Sequence, residues 1–332
     1  MVERVVLGHG GGGSLMQELI ATELAPLYSD PALLDLDAAT LALPHGQLAF
    51  SSDGYVVQPL EFAGGDIGKL AVIGTANDLA MVGARPLHLS VSLILEEGLP
   101  LALLRRLVAS MAEAAAASGV TIVTGDTKVV ERGKADGVFI STSGIGLLVA
   151  PARIAPSAIR AGDQLLISGD LGRHGLAILA ARHGLALEPL PSSDCAPLWP
   201  QVKALLEAGI TPHGLRDLTR GGLGTALAEL AASSGCDGLL LETELPLAPG
   251  VDASCALLGL EPLHLANEGR FVAVLAAEQA ARAAAVLAPW GARLVGDMQQ
   301  PVGVQPQVRL RTALGSERVL PPFSGEMLPR IC

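Results

Sequence analysis

The sequence predicts a two-domain protein of the α+β or α/β class, because strand-like runs of Val, Ile and Leu alternate along it with longer Ala- and Leu-rich helical runs. Its 332 residues suffice for two domains of ordinary size. Pro151 and Pro156 coincide with a break in apolar periodicity, which sets a boundary there. The expected units are 1–152, 153–318 and a flexible tail over 319–332 that carries Cys332.

The first half opens with a short apolar stretch, His9 and four glycines, Gly10, Gly11, Gly12 and Gly13. Ser14 is placed to cap a helix over 15–27. A strand over 48–52 is expected to end at Asp53 and Gly54, and a helix over 64–84 contains Gly74-Thr75-Ala76-Asn77-Asp78, whose small residues allow close packing. A strand over 87–95 and a helix over 101–117 follow. The next strand, 120–124, is expected to end at Gly125-Asp126-Thr127-Lys128, and another covers 138–148.

In the second half, the turn at 161–163 leads to a strand over 164–168 and a helix over 176–183. Helices are expected over 195–208 and 223–233, and a strand over 270–275 follows Asn267-Glu268-Gly269. Pro321, Pro322 and Pro329 disfavour helix near the end of the sequence and predict an extended tail.

Half of the residues are apolar and only 3% are aromatic, so the cores must be filled by aliphatic side chains. A net charge of −11 argues against nucleic-acid binding, which needs a basic face. Cys195, Cys236, Cys255 and Cys332 form no CxxC pair, so reduced thiols in the cytoplasm are expected. The start lacks a signal-peptide core, and the apolar stretches are too short or too often broken by charge to span a membrane. The histidines show no HxxxH pair, which disfavours a metallohydrolase.

Three aspartates carry the chemical signal: Asp53 and Asp126, beside glycines at expected strand ends, and Asp78, in Thr75-Ala76-Asn77-Asp78. Scattered carboxylates suit Mg²⁺, which takes one or two of them and fills its shell with water and substrate phosphates. Each also reads as an ordinary turn residue. The glycine run fits a loop that brings backbone N–H groups to phosphate, or a plain linker; it is not a Walker A motif. Lys128 offers a point charge or an assisting proton, and Glu268 a general base, though either also reads as a solvated or turn-flanking residue. Arg216 and Arg220, beside a helix start, suit phosphate or a surface ion pair. Cys332, at the end of the sequence, reads either as a mobile carrier thiol or as an accidental surface cysteine.

Taken together, His9-Gly10-Gly11-Gly12-Gly13, Phe50-Ser51-Ser52-Asp53, Gly64-Gly65-Asp66-Ile67-Gly68-Lys69, Gly74-Thr75-Ala76-Asn77-Asp78, Ile94-Leu95-Glu96-Glu97-Gly98-Leu99, Val123-Thr124-Gly125-Asp126-Thr127-Lys128 and Pro329-Arg330-Ile331-Cys332 resemble the HypE family of hydrogenase maturation proteins. The resemblance runs over nearly the whole chain, and its final motif is the most specific part. The glycine run is longer than the family's usual form, and Ser52 stands where Thr is more usual; neither departure removes a ligand group.

The resemblance implies a PurM-like fold, of the aminoimidazole-ribonucleotide-synthetase type: a mixed-sheet first domain that pairs in a homodimer and an α/β second domain. It implies carbamoyl dehydratase activity, in which a carbamoyltransferase (HypF) loads Cys332 and ATP then drives dehydration of the S-carboxamide to an S-cyanide. The cyanide would pass to a HypC–HypD iron carrier. His9, Gly10, Gly11, Gly12, Gly13, Asp53, Lys69, Asn77, Asp78 and Asp126 would bind ATP, with Asp53, Asp78 and Asp126 on Mg²⁺, and Lys128 and Glu268 would handle the N–H proton. A selenophosphate-synthetase-like or kinase-like enzyme is an alternative, although residues 8–16 lack the former's reactive cysteine. So is a non-enzymatic scaffold.

Overall fold

The structure, a computed structural model, describes residues 4–10, 14–27, 41, 45–189, 191–321 and 330–331. The chain divides into two compact units; the first runs up to Leu79 and resumes over Ala84–Leu148, and the second takes in Ala80–Gly83 and Val149–Ile331.

The first unit combines a four-stranded sheet with two long helices. After α1 (Ser14–Leu19), which continues as a π turn and a 3₁₀ turn to Leu27, come β1 (Leu48–Tyr55) and a small ribbon, β2 (Glu61–Phe62) and β3 (Gly65–Asp66). Helix α2 (Ile67–Met81) leads to β4 (Ala84–Glu96), α3 (Leu101–Ser118), β5 (Thr121–Val130) and β6 (Val138–Leu148). The strands form one sheet in the order β1-β6-β4-β5. Burial alternates along β1 and β6, as expected when one sheet face is covered and the other is not.

Strands β1 and β5 continue past the aspartates at which the sequence predicts their ends. Asp53 and Gly54 lie within β1, where they pair with Thr142 and Ser141 of β6. Asp126 and Lys128 lie within β5, opposite Ser92 and Ile94 of β4. The local turn preference of Asp-Gly and Gly-Asp gives way to a ladder made with strands distant in sequence, which local composition cannot reveal.

In the second unit, β7 (Gln164–Ile167), α4 (Arg173–His183), α5 (Trp199–Glu207), β8 (Gly214–Asp217) and α6 (Gly222–Ser234) are followed by β9 (Asp237–Leu241), α7 (Val251–Leu258), β10 (Phe271–Leu275), α8 (Ala277–Leu287), β11 (Arg293–Gln299), β12 (Val308–Arg311) and β13 (Glu317–Leu320). Seven strands form a sheet in the order β13-β12-β9-β11-β7-β10-β8, antiparallel except for β12 against β9. Leu165, Ile167, Val272 and Val274 pack on α6 from one face. Leu166, Phe271, Ala273 and Leu275 pack on α5 and α8 from the other. With both faces covered, every residue of β10 is buried.

The helix expected over 195–208 begins only at Trp199, with Pro200 in its first turn, where the missing N–H is tolerated. Val319 and Leu320 end β13 rather than beginning the tail. Gly11, Gly12, Gly13 and Cys332 lie outside the described residues.

Candidate active site

Small residues let α2 lie close to β1. The Ser51 hydroxyl donates to the Asp78 carboxylate at 2.7 Å. Four residues along, the Tyr55 and Thr75 hydroxyls meet at 3.3 Å, and a Cβ on Gly74 would collide with the Tyr55 hydroxyl. Ser51, Asp53 and Tyr55 alternate with outward residues, so Asp53 points to the same face as Asp78. Asn77, beside it, is buried. Lys69, in the first turn of α2, donates through Nζ to the Gly64 carbonyl at 2.9 Å.

Asp126 and Lys128 share the opposite face. The register runs Asp126, Ser92, Ser141, Gly54 across the four strands, and Gly54 faces outward from β1. Lys128 Nζ donates to Asp126 Oδ1 at 2.8 Å, and that hydrogen bond is the main reason that the Asp126 carboxyl sits below the usual range. Both side chains are exposed, so the pair adds little stability, on the order of 0.2–1 kcal/mol. Gly10 lies against the backbone of Val129, and His9 is buried with Nδ1 accepting from the Val6 N–H at 3.1 Å.

Asp53, Asp78 and Asp126 therefore do not close into one magnesium shell within a single chain. Asp53 and Asp126 stand on the outermost strands of the sheet, three strand spacings or about 14 Å apart, and on opposite faces. Among the described residues, no three His, Cys, Asp or Glu side chains converge to hold a metal. Asp53 and Asp78, on one face, meet magnesium's ordinary need for one or two carboxylates.

Glu268 belongs to the second unit, on a loop that is held from three sides. The Glu268 and Gly269 N–H groups donate to the two Asp194 oxygens at 3.3 and 3.1 Å. Asn267 accepts from the Gly172 N–H at 2.7 Å and donates to the Leu265 carbonyl at 2.9 Å. Glu268 is buried. Beside this loop opens a cleft of about 600 Å³ lined by Asp170, Arg173, Asp194, Cys195, Arg270 and Trp290. Burial pushes the Asp170 carboxyl up, but Arg173 and Arg270, hydrogen-bonded to it, outweigh burial and hold it below the ordinary value.

Arg330 and Ile331 are docked on the same unit. Ile331 is buried, and its carbonyl accepts from His174 Nε2 at 2.9 Å. The Arg330 carbonyl accepts from Arg182 at 2.8 Å. A carbonyl only accepts, so Nε2 carries the proton; burial lowers the His174 pKa, so the ring is neutral and Nδ1 accepts from the Ser193 hydroxyl at 2.8 Å. Ser193 Oγ in turn accepts from the Cys195 N–H at 3.1 Å. His174, Arg182, Ser193 and Asp194 were not foreseen from the sequence, where each is a single polar residue without a spacing pattern.

The fold and its paired carboxylates define an enzyme of the AIR synthase related type. The family model for the AIR synthase related N-terminal domain matches residues 35–148, and that for the C-terminal domain matches 160–308. The chain is 51% identical to a carbamoyl dehydratase HypE of Rhodobacter capsulatus, covering 99% of this chain and 98% of the relative. Its structure matches a crystal structure of hydrogenase maturation protein HypE in complex with ATP, at TM-score 0.94 and 46% identity over 98% of this chain and 99% of that one. It also matches a chain of a HypE–HypF complex, at TM-score 0.79 and 39% identity over 92% of this chain and 99% of that one. The chain belongs to the carbamoyl dehydratase HypE family.

Proposed function

We propose that the chain is an ATP-dependent carbamoyl dehydratase of hydrogenase maturation that converts an S-carboxamide on its own Cys332 to an S-cyanide. The observation that carries this reading is the docking of Arg330 and Ile331 beside the segment that holds Glu268: Ser193 supports His174 under the tail, and the adjacent Asp194 fixes the Glu268 backbone. Cys332 follows directly in the sequence.

An amide oxygen is a poor leaving group, and phosphorylation by ATP makes it a good one. In the complete step the C–O bond breaks with oxygen departing on phosphate, both N–H protons leave nitrogen, the C≡N bond forms, and ATP becomes ADP. Glu268 is assigned to accept an N–H proton, and its rigid loop holds the carboxylate in place for that task. Lys128 is assigned to charge and proton balance. Asp53 and Asp78 are the carboxylates that fit magnesium, which when bound offsets phosphate charge; His9, Gly10, Gly11, Gly12, Gly13, Lys69 and Asn77 are assigned to nucleotide contact.

Asp126 fits this reading through a homodimer. The outward sheet face bears Leu48, Phe50 and Ile94, which are 47%, 71% and 40% exposed. Packing against a second copy would cover them and bring another chain's Asp126 into play. The relative solved with HypF supports a carbamoyltransferase as the donor, and a HypC–HypD iron carrier is the proposed acceptor. Among the described residues no helix is long and apolar enough to cross a membrane. A reaction that needs a free thiol suits the reducing cytoplasm, where we place the chain.

The test is intact mass after incubation with the carbamoyltransferase, carbamoyl phosphate and ATP. A carbamoyl adduct that then loses one water is expected on the chain and absent from Cys332→Ala. An adduct retained in Cys332→Ala, or one that never loses water in the unaltered chain, overturns the assignment.

A further inference from the structure

We propose that His174 and Arg182, both on α4, form a clamp for the peptide backbone of the tail and so act as positioning residues that set the register of Cys332. The proposal deepens the dehydratase reading and rests on it for its purpose.

Four observations carry it. First, the two contacts are made to successive main-chain carbonyls, those of Arg330 and Ile331, so they read the position of the backbone and not the identity of a side chain. Second, Arg330 has φ 55°, the one positive φ at a non-glycine position among the described residues. A left-handed arginine carries a conformational cost and persists where neighbours over-determine it. The two clamp bonds fall on the carbonyl of that residue and on the next one.

Third, Ile331 is 4% exposed, which fixes the segment laterally while the clamp fixes it along its length. Fourth, the donor is itself held. The fully buried His174 ring receives the Ser193 hydroxyl, which receives the Cys195 N–H, and these bonds leave one tautomer able to serve the tail. The segment between those two residues supplies Asp194, the anchor of the Glu268 loop. A shift of the clamp and a shift of the proposed base are therefore coupled through three consecutive residues.

The test uses the full chain and trypsin. The Arg330–Ile331 bond is a tryptic site that docking should protect, since a protease needs an exposed, extended segment. Release of the Ile331–Cys332 dipeptide, followed by intact mass, should be about tenfold faster in Arg182→Ala and His174→Leu, the size expected from losing one hydrogen bond. Arg182→Lys and His174→Gln, which keep a donor, should restore protection. The urea midpoint of Arg182→Ala should be unchanged, because its side chain is partly exposed; this keeps the test decisive if His174→Leu fails to fold. Equal cleavage in Arg182→Ala and the unaltered chain overturns the clamp.

A second arm reads purpose. In chains carbamoylated on Cys332, Arg182→Ala should lower the single-turnover rate of water loss about tenfold, with the ATP concentration for half-maximal rate unchanged. An unchanged rate, with protection lost, overturns the positioning role. If the unaltered chain never loses water, the dehydratase reading falls, while the clamp still stands or falls on the tryptic result.

Discussion

Histidine 174 shows how much a single residue's surroundings decide. Burial lowers its pKa, and burial also lowers those of His88 and His264. A histidine whose folded pKa is depressed binds its proton more readily in the unfolded chain. Its contribution is therefore intact above the ordinary value of 6.5 and is lost as pH falls below it. The urea midpoint should hold steady from about pH 8 to 7 and fall steadily toward about pH 5.5. A midpoint that is flat or rising across that acid range would show that these rings are not held neutral. Asp170 acts in a lower window: its depressed carboxyl loses its stabilising effect only as pH falls below about its ordinary 3.8. At the same scale, Asp53→Asn and Asp78→Asn should each reduce ATP-dependent turnover by about a hundredfold or more while leaving the fold intact, measured by ADP release alongside circular dichroism.

At the scale of elements, the packing limits fall on glycines that local sequence marks only as flexible. A Cβ on Gly269 would overlap the Asp194 carbonyl, and one on Gly222, where φ is +59°, would overlap the Leu265 carbonyl. Backbone cannot swing away as a side chain can, so Gly269→Ala should destabilise by about 1–3 kcal/mol, read as a shift in urea midpoint. It should also displace Glu268. Sequence reasoning located most of the helices and strands of the first unit, since α3 and β6 follow their apolar patterns closely. It ended β1 and β5 too early at their aspartates, because the pairing that continues them is made with β6 and β4 far along the chain. It did not foresee β9, β11, β12 or α8, whose short runs acquire meaning only once the seven-stranded sheet gathers them. The candidate carboxylates were legible as residue types; which of them share a face was not, because that depends on register.

For the whole molecule, the open face of the four-stranded sheet is the feature that a lone chain leaves unresolved. Six of its hydroxyl residues, Ser52, Ser90, Ser92, Thr124, Ser141 and Ser143, occupy adjoining rows between Phe50 and Ile145 on one side and Phe139 and Ile94 on the other. A charge placed in its apolar border should oppose self-association. The unaltered chain is expected to sediment as a dimer and Phe50→Glu as a monomer that loses ATP turnover. A dimer that survives this substitution would move the interface elsewhere and remove the argument for pooling Asp126 between copies.

Because Arg330 and Ile331 are gripped by their own carbonyls, the tip of the polypeptide is indexed from its far end and not from its root at Leu320. The spacing that matters is then the single step from Ile331 to Cys332: one residue inserted there would carry the sulfur past its mark.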